Sequence, residues 1–156
     1  MTFRRILHPT DFSAASSPAL AVACSLSAEI GAEVIVLHVS PLTAVVRASG
    51  ISLVPADNAD ELTAQLQRIA SPAAGVRLTH RLEHGEPDVM IPHVAAASGV
   101  DLIVMGTHGR TGLLDRMLLG SVAEKVVRTA KCPVMTVPAN WVPPEGGVPV
   151  GESPND

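Results

Sequence analysis

Two runs constrain this chain more than any other feature: VIVLHV at 34–39 and LIVM at 102–105 are almost unbroken β-branched and aliphatic sequence. A strand with one wet face alternates apolar and polar residues. One that is apolar throughout needs cover on both faces, as inside a parallel sheet wrapped by crossover helices. Residues 33–39 and 101–105 are therefore read as buried parallel strands. Residues 3–7 (FRRIL) and 133–137 (PVMTV) are weaker members of the set, and 76–82 (VRLTHRL) alternates like an edge strand with a half-exposed face.

Helical spacing fills the intervals. Ser17-Pro18 opens the first helix, with serine as N-cap and proline at the first helical position; Ala19, Val22, Ala23, Leu26 and Ile30 follow, and Gly31 ends it. A second covers about 59–69, opened by Asp57 or Asn58. A third starts near Glu86-Pro87 and ends by Gly99, with Pro92 expected to kink or restart it. A fourth covers about 121–130. Strand and helix in alternation give an α/β fold, a single open parallel sheet with right-handed crossovers and helices on both faces. The 156 residues suit one domain, here 1–138. From 139 to 156 seven of 18 residues are Pro or Gly, which reads as a tail.

Composition excludes several classes. Eleven basic residues face fifteen acidic ones, no basic cluster exceeds Arg4-Arg5, and the three aromatics (Phe3, Phe12, Trp141) make no stacking platform, so nucleic acid is not an expected partner. No run approaches the roughly 18 apolar residues of a membrane span. The opening, MTFRRILHPTD, has only two apolar residues behind its arginines, unlike a secretory leader. Cys24 and Cys132 stand 108 positions apart, so reduced thiols and a cytoplasmic location are expected.

Ligands of open α/β sheets bind beyond the carboxyl ends of the strands, where strand order reverses. The loops that follow strands one and four are His8-Pro9-Thr10-Asp11-Phe12-Ser13 and Gly106-Thr107-His108-Gly109-Arg110-Thr111-Gly112. Glycines in the second let a ligand approach the backbone, and Gly120-Ser121 begins a helix whose N–H groups and dipole favour an anion such as phosphate. Ser121 and Glu124 also fit a capping box, which alone would account for both. His108 lies within the glycine loop and is the histidine best placed for a ligand contact. His8 and His38 read as satisfied core or rim residues, and His80, His84 and His93 as surface residues without metal spacing. No Ser-His-Asp set, P-loop or Rossmann fingerprint is present, so no catalytic residues and no enzyme are expected, beyond slow ATP hydrolysis at most.

Taken together, RRILHPTDFS, VIVLHVSP, HGEP, DLIVMGTHGRTG, LLGSVAEKVVR and CPVMTVP closely resemble the universal stress protein family over roughly residues 3–138. The resemblance implies an adenine nucleotide alpha hydrolase-like sheet of five parallel strands in order 3-2-1-4-5. It points to the ATP-binding branch, marked by Gly-x2-Gly-x9-Gly-Ser/Thr. Here ten residues, not nine, separate Gly109 from Gly120, with the surplus near Leu113 to Asp115. By the same resemblance Pro9, Thr10 and Asp11 would line the adenine and ribose side, and Val39 would offer its backbone to the adenine. Met105 and Gly106 would floor the ribose and phosphates. Gly109, Gly120, Ser121 and Val122 would hold phosphates, Arg110 would meet their charge, and Mg²⁺ could accompany them. The implied protein is an ATP-binding regulator of the stress response, a homodimer through 133–137. Two other readings remain: a nucleotide-free dimeric interaction protein of the same fold, and an enzyme acting on adenylated substrates.

Overall fold

The computed structural model describes residues 3–108 and 119–143. The chain order is β1 (Arg5–Pro9), α1 (Ser17–Ile30), β2 (Glu33–Ser40), β3 (Leu42–Arg47), β4 (Gly50–Pro55), α2 (Ala59–Gln67), β5 (Leu78–His84), α3 (Pro87–Ala97), β6 (Leu102–Gly106), α4 (Ser121–Thr129) and β7 (Val134–Val137). Five strands form one all-parallel sheet in the order β5-β2-β1-β6-β7. This is the expected 3-2-1-4-5 order once the β3–β4 hairpin, which among the described residues pairs only with itself, is set aside.

Alternation within β2 explains its unbroken apolar sequence. Val34 and Val36 pack with Ala19 and Ala23 of α1 and Leu66 of α2, whereas Ile35, Leu37 and Val39 pack with Ile91 and Val94 of α3 and Val126 of α4. Each face of the sheet thus has its own core, and β1 and β6 contribute to both. Asp101 fixes the start of the central pair: its Oδ2 accepts from the backbone N–H groups of Arg4 (2.8 Å) and Arg5 (3.1 Å). These two bonds hold the Asp101 carboxyl below its usual range. The Lys125 ammonium, 2.5 Å from Asp88, ties α4 to α3 and holds that carboxyl low as well.

Several expected details shift. Ser16, not Ser17, is the N-cap of α1; it is the last residue of a 3-10 turn at Ala14–Ser16, and Pro18 falls at the second helical position. Asn58 is the N-cap of α2, accepting from Asp60 N at 3.0 Å. Pro92 neither breaks nor restarts α3, which runs through it. Residues 76–82 sit at a sheet edge as the alternation implied, although the strand is displaced to Leu78–His84. Trp141 packs against its own chain's core on the α1/α2 face, its N–H bonded to Pro138 O at 3.0 Å.

Candidate functional site

β1 and β6 pair side by side, Ile6 with Leu102 and Leu7 with Ile103, so the loops leaving their carboxyl ends meet at the switch point. The first loop is tightly fixed. Thr10 N donates to Leu37 O (2.8 Å), and Thr10 Oγ1 accepts from Phe12 N (3.1 Å). Asp11 Oδ1 accepts from both the N–H (3.0 Å) and the hydroxyl (2.5 Å) of Ser13. Phe12 adopts φ 63°, a left-handed conformation that costs a bulky residue free energy and persists where neighbours over-determine it. Its ring lies 4.3 Å from that of His38, whose Nδ1 in turn sits 2.8 Å from Thr10 O.

The second loop brings α4 to the sheet. Thr107 N donates to Val137 O (3.0 Å), and Gly120 N donates to Thr107 O (2.8 Å), placing the start of α4 beside the end of β6. Gly106 keeps that junction close-packed: a Cβ there would stand 3.3 Å from Ala15 O and 3.4 Å from His108 O, so a side chain would press on the backbone of both loops. Gly120 is the N-cap, and among the described residues no side chain caps the helix. Ser121 therefore occupies the first helical position, and the capping box expected from Ser121 and Glu124 does not form. The first i→i−4 bond is Glu124 N to Gly120 O, so the N–H groups of Ser121, Val122 and Ala123 have no intrahelical acceptor.

Between these walls lies a cavity of about 220 Å³. Pro9, Thr10, Asp11 and Val39 line one side; Met105, Gly106 and His108 line the floor; Gly120, Ser121 and Val122 line the helix end. Gly109 and Arg110 lie outside the described residues. Ser16, Leu37, His38, Pro87, Ile91 and Ala123 also line it, none of them singled out from sequence as a ligand contact. Leu37 and Ile91 are indistinguishable from core aliphatics in sequence. The HGEP motif pointed at the right element, since Pro87 and Ile91 belong to the helix it opens.

The histidines divide by environment. His8 is buried, its Nδ1 3.0 Å from Val104 O, and burial pushes its pKa down to about 4. His38 is a buried rim residue of the cavity. His80 and His84 are half-buried rather than surface residues: His80 Nε2 lies 2.9 Å from Ile69 O, and His84 Nδ1 is buried without a partner among the described residues. Among the described residues no group of three or more His, Cys, Asp or Glu side chains could hold a metal ion. No helix among them is long and apolar enough to cross a membrane.

A residue-lined cavity over the switch point of an open parallel sheet places this chain among the doubly wound α/β proteins. More narrowly, it belongs to the universal stress protein family, whose profile matches residues 2–138. Universal stress protein MJ0531 of Methanocaldococcus jannaschii is 36% identical over 140 residues, covering 86% of this chain and 82% of that relative. The fold also matches a universal stress protein solved in complex with cAMP, at TM-score 0.68 and 22% identity, covering 90% of this chain and 100% of the other. A universal stress protein of Archaeoglobus fulgidus in complex with dAMP matches at TM-score 0.60 and 21% identity, covering 87% and 98%. At these identities the likeness to the two complexes is one of fold.

Proposed function

We propose that this universal stress protein binds an adenine nucleotide, ATP foremost, in the cavity at its switch point and acts as a nucleotide-dependent regulator in the cytoplasm. The observation that carries the reading is the uncapped start of α4, held beside Gly106 by the bond from Gly120 N to Thr107 O, at the end of a partly apolar cavity. Three N–H groups without intrahelical acceptors and the positive end of the helix dipole suit phosphate. Leu37, Val39, Ile91 and Met105 suit the face of a base. The cAMP and dAMP complexes of family members of the same fold support an adenine ligand.

On this reading Pro9, Thr10, Asp11 and the Val39 backbone hold adenine and ribose. Met105, Gly106 and His108 floor the site. Gly120, Ser121 and Val122 hold phosphates, joined by Gly109 and Arg110. Mg²⁺ arrives on the phosphates rather than in a protein cage, with Asp11 the carboxylate among the described lining residues. Assembly is through β7: its outer edge is unpaired among the described residues, Pro133 and Pro138 flank it, and a second copy pairing antiparallel would satisfy it. Residues 1–138 form the nucleotide-binding domain and 139–156 an appendage to it.

Gly120→Val keeps an allowed backbone, since Gly120 has φ −59° and ψ 153°, but obstructs approach to the helix end. Isothermal titration with ATP should show binding to the natural chain and at least a tenfold weaker constant in a folded Gly120→Val protein. Equal affinities would remove this site, and no binding to either would favour the nucleotide-free interaction protein. Turnover should be slow: Asp11, the carboxylate at the cavity, is engaged with Ser13, leaving it a poor base for water. Phosphate release at about 1 s⁻¹ or faster would overturn that part.

A further inference from the structure

Side chains alternate along β1, so Leu7 enters the core on the α3/α4 face and Ile6 the core on the α1/α2 face, where His8 also points. On that face a second cavity, of about 350 Å³, opens between α1, the end of α2 and the loop that follows β1. The loop is a partition: Thr10 and Ser16 line both this cavity and the one over the switch point, and their hydroxyl oxygens stand 3.1 Å apart. The volume is that of a small-molecule pocket.

Its chemistry is graded from floor to rim. His8, 1% exposed, forms the floor. A carbonyl can only accept, so Nδ1, 3.0 Å from Val104 O, carries the ring proton and Nε2 keeps a lone pair. Among the described residues Nε2 has no hydrogen bond, yet it is not sealed in: the one side-chain nitrogen or oxygen both enclosed and unpaired there is His84 Nδ1. The lone pair is therefore reached from the cavity, and burial, which holds the pKa to about 4, preserves it at neutral pH. The walls are the half-buried Phe12, Leu20 and Ile69. Phe12 is the residue held at φ 63°, and such strain clusters at ligand clamps. Gln65 and Arg68, at the end of α2, are exposed at the rim. Arg68 is the single permanently charged residue in the lining and has no ion pair among the described residues.

We propose that this cavity binds a small hydroxy acid, hydroxyl first: the hydroxyl donates to His8 Nε2, the apolar body lies among Phe12, Leu20 and Ile69, and the carboxylate stays at the rim with Arg68 and Gln65. The lone pair at the floor admits a donor and repels a carboxylate. One cation at the mouth selects one negative charge. Apolar walls between the two disfavour a polyol or a sugar phosphate, whose middle would lose its water without replacement. None of this depends on nucleotide in the other cavity.

Isothermal titration with 4-hydroxybenzoate tests the proposal, using benzoate as the partner probe because it keeps the ring and the charge and lacks only the donor. A site built to pair a hydroxyl discriminates against the analogue without it. The natural chain should bind 4-hydroxybenzoate at least tenfold more tightly than benzoate, and Arg68→Gln, a change at an exposed position, should weaken 4-hydroxybenzoate at least tenfold. No binding of 4-hydroxybenzoate at millimolar concentration, equal affinity for the two acids, or an unchanged constant in Arg68→Gln would each overturn the proposal. NMR locates the probe without any substitution. The His8 Nε2 resonance should start as an unprotonated ring nitrogen and move on titration, with amide changes at Phe12, Ser17, Arg68 and Ile69. A static His8 resonance, or changes centred instead on Ser121, Val122 and Ala123, would place the probe elsewhere and contradict the assignment.

Discussion

His8 shows how far a residue's surroundings set its chemistry. It follows Leu7 in β1, inside the sheet, and its Nδ1 faces the Val104 carbonyl of the neighbouring strand at 3.0 Å. Burial favours the neutral ring and lowers the pKa from 6.5 to about 4. In the unfolded chain the same ring takes up a proton near pH 6.5. Between about pH 6.5 and pH 4 the unfolded state therefore binds more protons than the folded one, and stability falls as pH falls through that window. A shift of this size corresponds to about 3 kcal/mol at most. Urea unfolding at pH 7 and pH 4.5 should show a steeper loss for the natural chain than for His8→Asn, which keeps a donor for Val104 O but does not titrate. Equal losses would mean that His8 is not the group responsible.

Among the elements, the end of β7 makes the clearest case for local packing deciding a role. Trp141 lies half-buried against the α1/α2-face core, four residues past the strand, held by the turn from Pro138. Replacing it by Ala should cost about 1–2 kcal/mol, less than a fully buried aromatic because part of the ring is already wet. It should also leave any dimer constant unchanged. A loss below about 0.5 kcal/mol in urea titration, or a weakened dimer, would contradict this placement. The elements also show which features were legible in sequence. VIVLHV and LIVM announced themselves because both faces of β2 and β6 are covered, and that burial favours apolar residues on both, His38 being the polar member of the two runs. The β3–β4 hairpin was missed for the opposite reason. Val45, Ser52 and Val54 are only half-buried and the other face is exposed, so no core imposes a continuous pattern, and Thr43, Ser52, Ala48 and Ser49 interrupt it enough to read as loop. The capping box failed because Ser-x-x-Glu fixes a spacing but not which residue leaves the helix, and Gly120 took the N-cap.

At the scale of the molecule, one strand-order reversal organises the candidate site. Pairing β1 with β6 sends two short loops to the same place, and the bond from Gly120 N to Thr107 O carries the start of α4 there as well. Pro9, Thr10, Asp11, Gly106, His108, Gly120 and Ser121 were legible because turns, glycines and a helix start carry sequence signatures, whereas Val39, Met105 and Val122 came from the family resemblance alone; all line one cavity. Ser16, Leu37, His38 and Ile91 were not, because a core aliphatic and a cavity wall have the same composition. Whether that cavity holds adenine nucleotide is the central claim. Backbone amide shifts followed by NMR while ATP is titrated into the natural chain test it most directly. The largest changes should fall on the amides of Ser121, Val122 and Ala123, with Gly106 and Val39 following, and the same set should respond more weakly in Gly120→Val. Saturating ATP that leaves these amides unmoved, or that moves a different surface instead, would contradict the account.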